Sequence, residues 1–82
     1  MNVKQLNARL QPLKASWLVQ MSRQFGVILT EQQVEQLKKQ VDVLAAKGAT
    51  MEEVKRSLSK TLDEQTVNKL FTILQQFLNV QL

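Results

Sequence analysis

The chain has 82 residues, of which 44 % are hydrophobic and 22 % are charged, and its formal net charge is +4 at pH 7. It contains neither cysteine nor histidine, which excludes a disulfide framework, a thiolate nucleophile and the commonest ligands of transition metals. This length and apolar content are typical of one folded domain, because a disordered chain has fewer apolar residues and more charge.

The sequence shows neither a membrane span nor a secretory signal. No stretch approaches the roughly 18 uninterrupted apolar residues that a spanning helix needs. The N-terminus lacks a charged segment followed by an apolar run and a small-residue cleavage site. The absence of cysteine fits a reducing compartment. We therefore expect a soluble, cytoplasmic protein.

The first two predicted helices lie on either side of Pro12. Apolar residues recur three or four positions apart along this part of the chain, namely Val3, Leu6, Leu10, Leu13, Trp17, Met21 and Phe25. Because a proline inside a helix removes one hydrogen bond and clashes with the preceding turn, the pattern predicts one helix over residues 2–10 and a second over residues 12–25. A single kinked helix is the alternative. Gly26 suits the left-handed conformation that ends many helices.

Trp17 has two interpretations. Together with its apolar neighbours it could form a face that lies in a membrane interface, flanked by Lys14 and Arg23. A domain of this size needs large side chains in its core, however, and Trp17 is the only tryptophan in the chain. We therefore expect Trp17 to belong to the core.

The third predicted helix begins with a clear start signal. Val27–Leu29 is an apolar run too short to predict a strand, and we expect a buried connection there. Thr30–Gln33 has the form of a capping box, in which the first and last side chains bond each other's backbone N–H groups. Apolar residues follow three and four positions apart as far as Leu44, and Gly48 ends the pattern. This segment predicts a helix over residues 30–47.

A second capping box, within Gly48–Leu58, predicts a short helix over residues 51–60. The segment resembles the second half of a bacterial helix-turn-helix, in which a turn of Gly, a hydrophobic residue and Ser or Thr is followed four residues later by an inward-facing Val. The resemblance implies that this helix is the recognition helix. The residues that would contact DNA are Lys55, Arg56 and Lys60.

The same segment also fits a purely structural alternative, a capped turn between two packed helices. Glu52 and Glu53 stand at the start of the helix, where their charges complement the helix dipole but would repel the phosphates of DNA. We therefore rank DNA binding by an element over residues 44–60 second to the function described below.

The final predicted helix, residues 63–79, has more apolar surface than one packing face needs. Asp63 is suited to cap its start. The main stripe consists of Val67, Leu70, Phe71, Leu74, Phe77 and Leu78. Ile73 and Val80 fall at the edge beyond Phe77 and widen the apolar sector to about 200°. Either other helices pack on two sides of this helix, or the edge is an exposed patch for a partner or a second copy.

Together these elements predict a single all-α domain over residues 1–82, a compact bundle of four to five short helices. Most carboxylates lie at helix starts, where a structural role accounts for them, and no pattern predicts an enzyme, a cofactor, a metal site or a small-molecule substrate. We expect an interaction module that binds a protein partner, or itself, chiefly through the last helix. Its predicted binding residues are Ile73, Phe77, Val80 and Leu82. The alternative is a nucleic-acid-binding regulator that uses Lys55, Arg56 and Lys60.

Overall fold

A computed structural model describes residues 2–78, which form five α-helices joined by short connections. The helices are α1 (Val3–Leu10), α2 (Ala15–Gln24), α3 (Glu31–Ala46), α4 (Met51–Thr61) and α5 (Glu64–Leu78). No strand occurs within this part of the chain, so the predicted all-α fold is confirmed. None of the helices described is both long and apolar enough to span a bilayer.

Side-chain caps fix the starts of four helices. Thr30 and Thr50 each form the predicted capping box, with Gln33 and Glu53 respectively. Asp63 accepts a hydrogen bond of 2.7 Å from the backbone N–H of Thr66, also as predicted. A further capping box, between Asn2 and Gln5, starts α1 and was not predicted. Each box satisfies two backbone donors that the first turn of a helix leaves unpaired.

The second helix begins at Ala15, three residues later than predicted. The backbone N–H of Leu13 bonds the carbonyl of Leu10 at 3.1 Å and closes a turn around Pro12. Lys14 is then extended, with φ −72° and ψ 138°, and it makes no side-chain cap. Pro12 therefore lies in the turn between the two helices and not in the first turn of α2.

The last helix contributes more buried apolar side chains to the core than any other helix described. It contacts α2 and α4, while α3 contacts α1, α2 and α4. Five α5 side chains are buried, namely Val67, Leu70, Phe71, Ile73 and Leu74. The buried partners from the other helices include Leu6, Leu10, Leu18, Val34, Val41, Val54 and Leu58. Every helix thus contributes apolar side chains to one common core.

The prediction that Ile73 forms part of an exposed edge is wrong. Its side chain is only 1 % exposed, and it lines the same small internal cavity as Leu18 and Ser22 of α2. The lining of this cavity also includes residues of α1, α3 and α4, so the other helices of the bundle enclose Ile73. Of the two alternatives for the last helix, packing by other helices on two sides is the one that holds at Ile73.

Two further expectations about burial are met only in part. In α2 the buried side chains are Leu18 and Ser22, whereas Trp17 is half-buried and packs against the core from its edge. Steps of four residues rotate by about 40° each, so a stripe built on them drifts around the helix. In the loop before α3, Ile28 is 73 % exposed although Val27 and Leu29 are buried, the alternation that an extended segment produces.

Candidate functional site

Three aromatic rings meet where α2 and α5 pack together, and we call Trp17, Phe25 and Phe77 the aromatic edge. The ring centroids of Trp17 and Phe77 are 6.3 Å apart with an interplanar angle of 86°. Those of Phe25 and Phe77 are 5.8 Å apart at 87°. Both pairs have the edge-to-face geometry that aromatic quadrupoles favour. Phe77 therefore contacts one ring of α2 and one ring just after it in a defined orientation.

The end of α2 explains how Phe25 reaches this position. Gly26 has φ +80°, in the left-handed region that glycine adopts at little cost. Its backbone N–H bonds the carbonyl of Arg23 at 3.0 Å, and that of Val27 bonds the carbonyl of Ser22 at 2.9 Å. These bonds close the helix and leave Phe25, the last residue before the glycine, at the α5 side of the bundle.

Phe77 is the predicted partner-binding residue that the structure leaves open to solvent. Its side chain is 45 % exposed, compared with 1 % for Ile73 one turn earlier. Half of a phenylalanine side chain is a large apolar area for one surface position. Val80 and Leu82, the other two predicted binding residues, lie outside the described residues.

The helices that form the aromatic edge carry positive charges and almost no negative ones. Lys14 precedes α2, Arg23 lies in its last turn, and Lys69 lies on α5. The single carboxylate in these two helices is Glu64, which is about 20 Å from Phe77 along the axis of α5 at 1.5 Å per residue. Within α2 and α5 themselves there are thus two cations and one carboxylate.

The acidic residues that the structure describes have structural roles at helix starts or form no cluster. Among the described residues no cluster of acidic side chains could hold a metal ion. The pKa of Asp63 lies below its ordinary value because its carboxylate accepts hydrogen bonds from the side chain and backbone of Thr66. This is the usual consequence of capping a helix, and it assigns Asp63 a structural role.

The alternative nucleic-acid residues on α4 differ from one another. Arg56 and Lys60 are exposed. The ammonium Nζ of Lys55 instead lies 5.1 Å from the centroid of the Phe71 ring. This is a cation–π contact, so the charge of Lys55 already has a partner within the fold. Glu52 and Glu53 are exposed in the first turn of the same helix. The structure thus leaves two of the three predicted cations free to meet phosphate.

Two exposed apolar residues were not predicted from the sequence. Ile28 is exposed in the loop after α2, and Val43 is 50 % exposed on α3. In the sequence, Val43 falls outside the apolar spacing of the third helix that ends at Leu44, but single apolar residues are common on protein surfaces. In the structure, Val43 lines a groove between α3 and α4.

The fold and the aromatic edge define a small all-α domain with one exposed, ordered aromatic cluster. Compared with protein-family models, with curated proteins and with solved structures, the chain matches none of them.

Proposed function

We propose that the protein is a non-enzymatic interaction module that binds a protein partner at the aromatic edge. The observation that carries this proposal is the 45 % exposure of Phe77 between the rings of Trp17 and Phe25. Aromatic residues are enriched in protein interfaces, where a few of them supply most of the binding energy. A partner would cover the open side of the Phe77 ring.

The order of the three rings also supports the proposal. A side chain that is already fixed loses little conformational entropy when a partner binds, so more of its contact energy appears as affinity. Phe77 is fixed by two edge-to-face contacts, and both of its ring partners are themselves packed against the core. The aromatic edge is therefore prepared for binding before a partner arrives.

The partner can be trapped by replacing Phe77 with the photo-crosslinking residue p-benzoylphenylalanine in the source organism. The same replacement at Ile28, which is exposed but outside the aromatic edge, is the matched control. A protein that crosslinks from position 77 and not from position 28 is then purified, and its affinity is measured for the wild type and for Phe77→Gln. Loss of an interface hot spot predicts about 30-fold weaker binding, equivalent to about 2 kcal/mol.

The folding of Phe77→Gln is checked by urea denaturation under the conditions of the binding assay, because the substitution also removes two ring contacts. Ile28→Gln should bind as the wild type does. If the folded Phe77→Gln variant keeps full affinity, the aromatic edge is not the binding surface. Sedimentation of the wild type tests the second-copy alternative, since a dimer that Phe77→Gln dissociates would identify the partner as the chain itself.

Nucleic-acid binding through α4 is a second candidate, supported by the exposure of Arg56 and Lys60. It predicts that binding to a 20-base-pair duplex weakens steeply between 50 and 200 mM salt, because neutralised phosphates release counterions. The double variant Arg56→Gln, Lys60→Gln should reduce the salt slope by about two. Absence of salt-sensitive binding by the wild type would remove this candidate.

A further inference from the structure

A second surface lies between α3 and α4, helices that take no part in the aromatic edge. It is an open groove of about 530 Å³, and its lining includes Lys39, Val43 and Lys47 from α3 and Ser57 from α4. No carboxylate belongs to its lining within the part of the chain described. The groove therefore presents positive charge and apolar surface together.

The α3 side of the groove has a regular spacing. Lys39, Val43 and Lys47 follow one another at intervals of four residues, so the α-carbon of each lysine lies about one helical turn, or about 6 Å along the axis, from that of Val43. Val43 is 50 % exposed. Leu44, which is half-buried, extends the apolar surface inward. An apolar contact is thus framed by a cation at each end.

The floor of the groove is fixed by a bond between the two helices. The side-chain amide Nε2 of Gln40 donates to Ser57 Oγ at 3.0 Å and lies 3.4 Å from the Ser57 carbonyl oxygen. The nearby carboxylate of Glu53 is held in the capping box with Thr50. The groove is thereby formed before any ligand enters, and the carboxylate of Glu53, one turn before Ser57 on α4, has a structural partner of its own.

The composition of the groove distinguishes between classes of ligand. Lysines alone would suit the phosphates of a nucleic acid, but the charged phosphates that lysines attract would leave Val43 and Leu44 without an apolar contact. A helical segment of a protein can place an apolar side chain on Val43 and a carboxylate beside each lysine, because residues four apart lie on one helix face. Such a helix would match both the charge of the two lysines and the apolar surface of Val43.

We propose that the α3/α4 groove is a docking site for an acidic amphipathic helix of a partner protein. The segment that fits carries an apolar residue with a carboxylate one turn before it and another one turn after it. This inference concerns a surface separate from the aromatic edge and stands whether or not that edge binds a partner.

The test uses a blocked, alanine-based helical peptide with one leucine and a glutamate four residues to either side of it. The control peptide has glutamine at both positions. Backbone amide shifts of the ¹⁵N-labelled protein should change at Val43, Lys47 and Ser57 as the first peptide is added. The glutamine peptide should bind about fivefold more weakly, as expected for the loss of two solvent-exposed ion pairs.

The double variant Lys39→Gln, Lys47→Gln should bind both peptides equally and as weakly as the wild type binds the glutamine peptide. A variant with the same net charge, Lys14→Gln with Lys69→Gln, should keep the fivefold preference. Equal affinity of the wild type for both peptides would overturn the proposal. So would shifts confined to residues around Phe77, or groove shifts produced by duplex DNA but not by the acidic peptide.

Discussion

Replacing Ser22 by alanine should stabilise the protein, although Ser22 is fully buried. Ser22 is 0 % exposed, and its hydroxyl Oγ has no hydrogen-bond partner among the described residues. The hydroxyl lines an internal cavity of about 20 Å³ whose other lining residues, such as Leu18 and Phe71, are apolar. A water molecule there would have one polar partner, whereas buried waters usually make about three hydrogen bonds.

The magnitude follows from three contributions. Burying an unpaired hydroxyl costs about 1–3 kcal/mol by mutational measurements, and Ser22→Ala removes that cost. Alanine is also the better helix former by about 0.5 kcal/mol. Against these, even doubling the 20 Å³ cavity costs about 0.5 kcal/mol at about 24 cal/mol per Å³. The last two contributions cancel, so the free energy of unfolding should rise by about 1–3 kcal/mol.

Urea denaturation followed by circular dichroism measures this change, and Tm should rise by about 4–8 °C for each kcal/mol. Ser59→Ala is the matched control, since Ser59 is also helical but its hydroxyl donates to the Lys55 carbonyl at 2.8 Å. That substitution should give no such gain, because it removes a satisfied hydrogen bond. An unchanged or lower denaturation midpoint for Ser22→Ala would refute the reasoning.

Three further predictions concern the core, a helix end and a cap. Ile73→Ala should lower the free energy of unfolding by about 2–5 kcal/mol. The same change at an exposed site, Ile28→Ala, should alter it by no more than about 0.5 kcal/mol. If urea denaturation gave comparable losses of stability for both variants, Ile73 would not belong to the core. Gly48 has φ +73° and open space around an added Cβ, so Gly48→Ala should cost about 1–2 kcal/mol from backbone conformation alone, and an unchanged denaturation midpoint would contradict this. The pKa of Asp63 is lowered in the folded state, so its stabilising effect is present above its unfolded pKa of about 3.9 and is lost as the pH falls through the lower, folded value. Asp63→Asn should keep the cap at pH 7 and reduce the loss of stability below about pH 4, and an identical acid-denaturation curve would exclude this contribution.

The helix boundaries were largely predictable because they depend on neighbours in sequence. Predicted helices over residues 30–47 and 51–60 correspond to α3 and α4 within one residue at each end. Each begins at a capping box, which involves side chains only three residues apart. The start of α2 was missed because Pro12 is compatible with both the first turn of a helix and the turn before it.

The candidate site was predictable only in part. The sequence pattern placed Ile73 and Phe77 on the same apolar edge of the last helix, and their position on one side of α5 follows from helical geometry alone. Their exposures nevertheless differ, at 1 % and 45 %. The difference arises because Ile73 lies at the internal cavity among side chains of the other four helices. Phe77 instead contacts Trp17, in the first turn of α2, and Phe25, just after its end, and these contacts leave its ring partly open.

Periodicity and capping in the sequence by themselves determined that the protein is an all-α domain and where most of its helices begin and end. These signals are interactions within about four residues, so they can be read without knowing how the helices pack. The tertiary structure alone decided that Ser22 is buried beside a cavity, and that Val43 lies in a groove with Lys39 and Lys47. The exposure of a side chain depends on which distant segment covers it, and no local pattern contains that information.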